Sequence, residues 1–155
     1  MPQVTRGGKY IFGWSAIGGD LAVTLPPQAV EEYDMVREGR VYLLTGSGQT
    51  GGFVVTRRGL LLRSHMGNVL WDRPSLNEYA GAPGIFETVR DRGWCWLPIG
   101  DEGRLTLRLD ILRVLGLAPG QRLLAIRASD IAFCMGAKGP IIDRAAAYPG
   151  NIPLY

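Results

Sequence analysis

The chain has 155 residues, of which 46% are hydrophobic and 20% charged, and its formal net charge is +3. No run approaches the roughly 18 apolar residues of a membrane span, and the N-terminus lacks the apolar stretch of a signal peptide. We therefore expect a cytoplasmic protein with no membrane partner. The two cysteines lie far apart and the single histidine has no His or Cys nearby, which excludes the usual zinc-binding spacings.

The first part of the chain predicts short strands around one helix. Residues 20–25 predict a strand, 28–33 a helix and 40–45 a second strand. The glycine-rich segment 46–52 predicts a hairpin that leads into a strand at 53–56. That segment lacks the Lys-Ser/Thr pair of a phosphate-binding loop and precedes no predicted helix, so its composition favours a flexible hairpin.

The remainder predicts the same elements a second time, after a polar stretch. Residues 57–93 carry several Gly and Pro and predict a short extension, a loop, and a strand or turn near 86–89. Beyond them the pattern predicts four strands and two short helices. The strands are expected at 94–99, 104–107, 122–127 and 131–135, and the helices at 110–115 and 141–147.

The two parts are copies of one pattern. Residues 12–47 recur without a gap as residues 94–129, at a constant offset of 82 positions. Apolar positions coincide between the copies as well as identical residues, so the chain is predicted to derive from the doubling of one small unit. The identical pairs include Trp14/Trp96, Ile17/Ile99, Gly18/Gly100, Thr24/Thr106, Leu25/Leu107, Arg40/Arg122 and Ser47/Ser129.

The repeat defines the expected organisation of the chain. The first module spans 10–57, a connecting insert 58–93 and the second module 94–139, and a C-terminal helix and tail occupy 140–155. One unit alone is of marginal size for a stable core, whereas two units have enough residues for one. The strands of one module alone would form a sheet with open edges. We therefore expect the strands of both modules to form one shared barrel.

The repeat unit resembles the AbrB/MazE/SpoVT swapped-hairpin module. The resemblance rests on residues 100–107 (GDEGRLTL) and 110–117 (DILRVLGL), followed by a Pro-Gly turn. The first copy matches through 19–26 (GDLAVTLP) and 33–39 (YDMVREG). Two modules in one chain are similar to the arrangement of MraZ-like proteins. The resemblance implies a mostly β fold with short helices, in which two AbrB-like modules form a pseudo-twofold swapped-hairpin β-barrel.

The resemblance also implies a transcriptional regulator that binds double-stranded DNA. The DNA-facing arginines of the family, carried over to this sequence, fall on Arg104 and Arg113, and Arg108 lies between them as a third member of the predicted cluster. Guanidinium groups suit phosphates and base edges. The first copy has Ala22 in place of Arg104 and Glu31 in place of Arg113, so these contacts transfer to one half only.

Two other functions stay open at this stage. An interaction or oligomerisation module that kept the barrel and lost DNA binding would bind itself or another protein, and Ala22, Glu31 and the scarcity of Lys favour it. A small-molecule-sensing barrel would use the insert as a lid over a closed apolar pocket. One positive face with Arg104 and Arg113 would favour DNA, whereas arginines paired with carboxylates would favour the interaction module.

The sequence contains no recognisable group of catalytic residues, so no catalytic residue, metal or cofactor is predicted. Ser47 and Ser129 recur at equivalent corners, which indicates turn-capping hydroxyls, not nucleophiles. Both cysteines lie in apolar sequence and are expected to be buried free thiols. Arg6 and Lys9 form either a basic N-terminal arm or, more simply, part of a disordered terminus.

Overall fold

The computed structural model describes residues 2–4 and 8–155. It is mostly β with short helices, as predicted. In the described part the strands are β1 (Ile11–Ala16), β2 (Ala22–Thr24), β3 (Arg40–Thr45), β4 (Phe53–Thr56), β5 (Glu87–Val89), β6 (Arg92–Pro98), β7 (Arg104–Thr106), β8 (Arg122–Arg127) and β9 (Phe133–Gly136). The helices are α1 (Pro27–Tyr33), α2 (Arg58–Leu62), α3 (Asn68–Trp71), α4 (Pro74–Asn77), α5 (Leu109–Leu115) and α6 (Pro140–Ala146).

The strands of the two copies exchange partners. One sheet has the order β1-β8-β9-β4-β3-β6-β5, and β2 and β7 form a separate two-stranded ribbon. The first strand of each copy therefore pairs with the third strand of the other copy, as β1 with β8 and as β6 with β3. The last strands, β4 and β9, also pair across the copies. All of these pairings between the copies are antiparallel. Each has a counterpart in which the roles of the two copies are exchanged.

Individual hydrogen bonds follow the same exchange. The backbone N–H of Ile17 donates to Gln121 O at 2.9 Å, and that of Ile99 donates to Gly39 O at 3.0 Å. The two bonds are equivalent, because Ile17 corresponds to Ile99 and Gly39 to Gln121 at the 82-residue offset. In the ribbon, Val23 lies directly opposite its own equivalent, Leu105. The approximate two-fold axis therefore passes between these two residues, at the centre of the ribbon.

The main sheet is open, so the prediction of a closed barrel is wrong for this chain. The outer edge of β6 pairs with β5 from the insert. The outer edge of β1 is occupied by the C-terminal tail, where Trp14 N–H donates to Pro153 O at 2.8 Å and Tyr155 N–H donates to Trp14 O at 2.8 Å. Added segments thus cover the two edges that closure would have joined. Gly13 permits the tail to lie there, because a Cβ at this position would stand 2.7 Å from the Tyr155 ring.

The core lies between the main sheet, the ribbon and the inner faces of α1 and α5. At its centre Phe12 packs edge-on against Tyr33 and Phe133, with ring centroids 6.2 Å and 6.0 Å apart. Val23 and Leu105 of the ribbon are fully buried in the same cluster. This burial holds the ribbon and both helices in fixed positions relative to the sheet.

The insert is helical at its beginning, which the sequence did not predict. Helices α2, α3 and α4 cover a second apolar cluster on the other face of the sheet, with Leu61, Leu70 and Leu76 buried in it. Of the strand or turn expected near residues 86–89, the structure has the strand, β5. No helix in residues 2–4 and 8–155 is long and apolar enough to cross a membrane.

Candidate interaction surface at the two short helices

The ribbon places α1 and α5 in equivalent positions on the molecule. Each helix follows one ribbon strand directly, and each buries its apolar face in the main core. Helix α5 is followed by Gly116, whose φ of 67° is the left-handed conformation that commonly ends a helix. Helix α1 ends in the same conformation at Asp34, with φ of 49°. The residues exposed on these two helices therefore form the surface on which the predicted arginines lie.

Arg104 is bound to a carboxylate of the first copy. It is exposed on β7 and forms an ion pair with Asp20. A backbone bond from Ala22 N–H, and then Arg104 itself, lower the pKa of Asp20, which stays ionised at neutral pH. Ala22, the equivalent of Arg104, is buried. The guanidinium is therefore already paired, and the equivalent position offers no second cation.

Arg108 also has partners within the chain. It precedes α5, and its Nε and one terminal nitrogen donate to the two Asp110 carboxylate oxygens at 3.1 Å and 3.2 Å. The same terminal nitrogen donates to Pro83 O at 3.0 Å. The bond from Arg108 lowers the pKa of Asp110. Arg108 thus links α5 to the end of the insert.

Arg113 differs from the other two. It is exposed in the last turn of α5 and has no ion pair within the described part of the chain. Leu109 and Val114 on the same helix are 60% and 52% exposed. The predicted cluster is therefore two carboxylate-paired arginines and one free arginine beside exposed apolar side chains.

A groove beside α1 is acidic. It has a volume of about 500 Å³ and an apolar floor that includes Pro27, Val30 and Val36. Four carboxylates line it, from Glu31, Asp34, Asp101 and Glu102. Among the described residues only one of the four forms an ion pair, which joins Asp34 to Arg37 at 3.4 Å.

Both copies build this groove. Asp101 and Glu102 belong to the turn between β6 and β7, and the strand exchange brings that turn against α1 of the first copy. Gly103 allows the close approach: its φ is 81°, and a Cβ there would stand 2.6 Å from a methyl of Val30. Leu25 N–H donates to Gly103 O at 2.9 Å and fixes the contact.

The equivalent surface beside α5 lacks most of these carboxylates. At the 82-residue offset Glu31 corresponds to Arg113, Asp34 to Gly116 and Asp101 to Gly19. Glu102 corresponds to Asp20, which is paired with Arg104, so among the described residues Arg113 is left as an unpaired cation on this side. The sequence comparison showed that Glu31 stands where the second copy has Arg113. It did not predict that Asp101 and Glu102 lie beside Glu31 in the folded chain. Their meeting with α1 depends on strand exchange between segments about 70 positions apart. No local pattern carries that information.

Other predicted features have structural roles. The Ser47 hydroxyl accepts from Thr50 N–H at 3.3 Å and that of Ser129 accepts from Ile131 N–H at 3.2 Å, so both cap turns as predicted. Both cysteines are free thiols, but only Cys95 is buried as predicted, whereas Cys134 is partly exposed. Burial raises the pKa of the Cys95 thiol to about 12. Lys9 is exposed, whereas Arg6 lies outside the described residues.

A small pocket lies between the insert and the sheet, where the small-molecule hypothesis places its ligand. It is lined by apolar side chains that include Val69 and Trp94, with Arg90 and Arg92, and its volume is about 180 Å³. Ligand pockets usually measure about 300–1,000 Å³. This pocket is below that range.

The insert also lines an apolar pocket of about 280 Å³ that includes Ile85 and Trp96, and a more polar one of about 630 Å³ that includes His65 and Asp130. Both are open to solvent, so neither is the closed apolar pocket that the hypothesis expects. Among the described residues no group of three or more His, Cys, Asp or Glu is placed to hold a metal ion.

Comparison with known proteins identifies no family. No protein-family model matches the chain, and no curated protein is significantly similar to it. The AbrB-like resemblance therefore rests on the motifs and their 82-residue repetition alone.

Proposed function

We propose that this chain is a protein-interaction module built on an AbrB/SpoVT-like, two-module swapped-hairpin framework. The observation that carries the proposal is the groove beside α1, where an apolar floor is bordered by Glu31, Asp34, Asp101 and Glu102. Its partner is a basic, amphipathic segment of protein. The reciprocal pairing of β1 with β8 and of β6 with β3 supports the framework.

Charge explains the choice of partner. Three of the four carboxylates have no ion-pair partner in the described part of the chain, so a phosphate backbone on this face meets repulsion. Lysine and arginine side chains meet attraction, which steers association and fixes register. Burial of Pro27, Val30 and Val36 against apolar residues of the partner supplies the non-directional part of the binding energy.

A synthetic amphipathic helix with one lysine-rich and one leucine-rich face tests this function. We expect it to bind the protein in a fluorescence anisotropy titration and expect Glu102→Lys to weaken binding about tenfold, or about 1.4 kcal/mol. Glu78→Lys is the matched control, because Glu78 is also exposed but lies in the insert. Equal affinity for a glutamate version of the peptide would contradict the proposal.

DNA binding by the second copy is a second candidate function, that of a transcriptional regulator. The observation that favours it is Arg113, which is exposed, free of ion pairs among the described residues, and matched to an arginine position of the family motif. Arg104 and Arg108 would have to exchange their carboxylate partners, Asp20 and Asp110, for phosphates. That exchange lowers the gain from each contact.

Titration with labelled random duplex DNA at low salt tests this candidate. We expect an affinity that falls linearly with salt on logarithmic axes, loss of binding in Arg104→Glu, and tighter binding in Glu31→Arg because a repulsive carboxylate becomes a cation. Absence of any anisotropy change for the unmodified protein at micromolar concentration would eliminate DNA binding.

A further inference from the structure

The exposed side of α5, formed by Leu109, Arg113 and Val114, combines apolar side chains with a positive charge, which complements the acidic groove. We call it the α5 surface. Leu109 and Val114 are more than half exposed on a helix of seven residues, and Arg113 lies between them in sequence. Asp110 is exposed on the same side of the helix, but its charge is matched by its partner Arg108. Arg113 therefore gives this side of α5 a net positive charge beside two exposed aliphatic side chains. Within the same molecule, the equivalent position beside α1 is a groove with apolar residues and carboxylates.

We propose that the occupant of the groove beside α1 is the α5 surface of a second copy of this chain. This inference rests on the proposed function and names its partner. Arg113 of one copy faces Glu31 and its neighbouring carboxylates on the other, while Leu109 and Val114 cover Val30 and Val36. One amino-acid sequence thus supplies both halves of a complementary pair.

The approximate two-fold symmetry allows the contact to form twice. The axis that passes between Val23 and Leu105 relates α1 to α5 within each molecule. A second copy, turned over about an axis perpendicular to this one, therefore presents its α5 to α1 and its α1 to α5. Such a dimer is closed, and each contact has a symmetric counterpart. Pairing α1 with α1 would instead oppose like charges, so charge selects the crossed arrangement.

Glu31 and Arg113 allow a test by charge exchange. In Glu31→Arg every crossed contact becomes Arg against Arg, and in Arg113→Glu it becomes Glu against Glu. We expect each variant to weaken self-association by about tenfold, because repulsion replaces a modest attraction at both contacts. An equimolar mixture of the two variants restores opposite charges at both contacts and is expected to associate like the unmodified protein. Circular dichroism of each variant verifies that it is folded.

Sedimentation equilibrium from micromolar to submillimolar protein measures these states at low and at high salt. We expect the unmodified protein to associate at low salt and to dissociate as salt rises, because the screening length falls from about 10 Å at 0.1 M to about 3 Å at 1 M. Single variants that associate as well as the unmodified protein, or a mixture that stays monomeric, would overturn the inference.

The same series separates this inference from the proposed function. An unmodified protein that stays monomeric throughout but binds the lysine-rich helix through its groove overturns self-association alone. A protein that does neither overturns both. Glu78→Lys serves again as the control, since its charge change lies outside both surfaces and is expected to leave the association constant unchanged.

Discussion

A fragment that ends at Arg57 is expected to be unfolded on its own, and so is the remainder that begins at Arg58. Cleavage there leaves the first fragment with only one strand pairing of the main sheet, that between β3 and β4. The pairings of β1, of β3 with β6, of β4 with β9 and of β2 with β7 all join the two fragments. The remainder keeps two hairpins, β5 with β6 and β8 with β9, which no retained pairing joins to each other. A single two-stranded hairpin is marginally stable at best in water.

Mixing the two fragments should restore the fold, because together they contain every pairing. Far-UV circular dichroism and amide NMR spectra of each fragment alone, and of the equimolar mixture, measure this directly. We expect narrow amide dispersion for the separate fragments and native dispersion for the mixture. Sedimentation identifies any fragment that folds only by pairing with itself. A fragment that is folded as a monomer would contradict the exchanged pairing of strands.

The elements shared by the two copies were predictable because their signals are local. The apolar spacing of α5 and the glycine that follows it define the helix within eight positions of the chain, and the structure has it at Leu109–Leu115. The strands at 40–45 and 122–127 have the predicted bounds. Repetition strengthened each of these predictions, since one pattern was seen twice.

The insert was not predictable by the same reasoning. Helices α2, α3 and α4 have five, four and four residues, which is too short for a helical period to appear in the sequence. Their positions depend on burial of leucines against the sheet. The open sheet has a similar origin, because β5 and the tail pair with edges that the repeat unit alone leaves free.

The candidate site was predictable in part. The sequence placed Arg104, Arg108 and Arg113 on exposed faces, and all three are exposed. It did not give their partners: Asp20, which pairs with Arg104, lies 84 positions away in the chain. Exposure follows from the position of a residue within its own element, whereas pairing depends on which elements meet. That difference is why the arginines suggested DNA and the assembled surface favours a protein partner.

Replacement of Glu38 by Ala is expected to cost about 3–5 kcal/mol in the free energy of unfolding. Glu38 accepts from an Arg57 terminal nitrogen at 2.8 Å, from Gly59 N–H at 2.9 Å and from the Tyr79 hydroxyl at 2.7 Å. The Arg57 side chain is only 9% exposed, so the variant leaves a guanidinium buried without a counter-charge. The hydroxyl and the amide lose their acceptor as well. Urea unfolding of both proteins measures the difference.

Acid should reduce this difference. Burial raises the pKa of Glu38, but the bonds from Arg57, Gly59 and Tyr79 outweigh burial and hold it below its ordinary value of 4.5. The carboxylate therefore contributes stability above about pH 4.5, and that contribution is lost as the pH falls through the folded-state pKa. Glu32→Ala is the control: Glu32 pairs with Arg127 at the surface, where both side chains are about one-third exposed, and its loss should cost at most about 1 kcal/mol. Urea unfolding of the unmodified protein and of Glu38→Ala, from neutral pH to well below pH 4.5, measures this loss. If the difference in stability between them stays constant, the ionised carboxylate is not what holds Arg57 in the core.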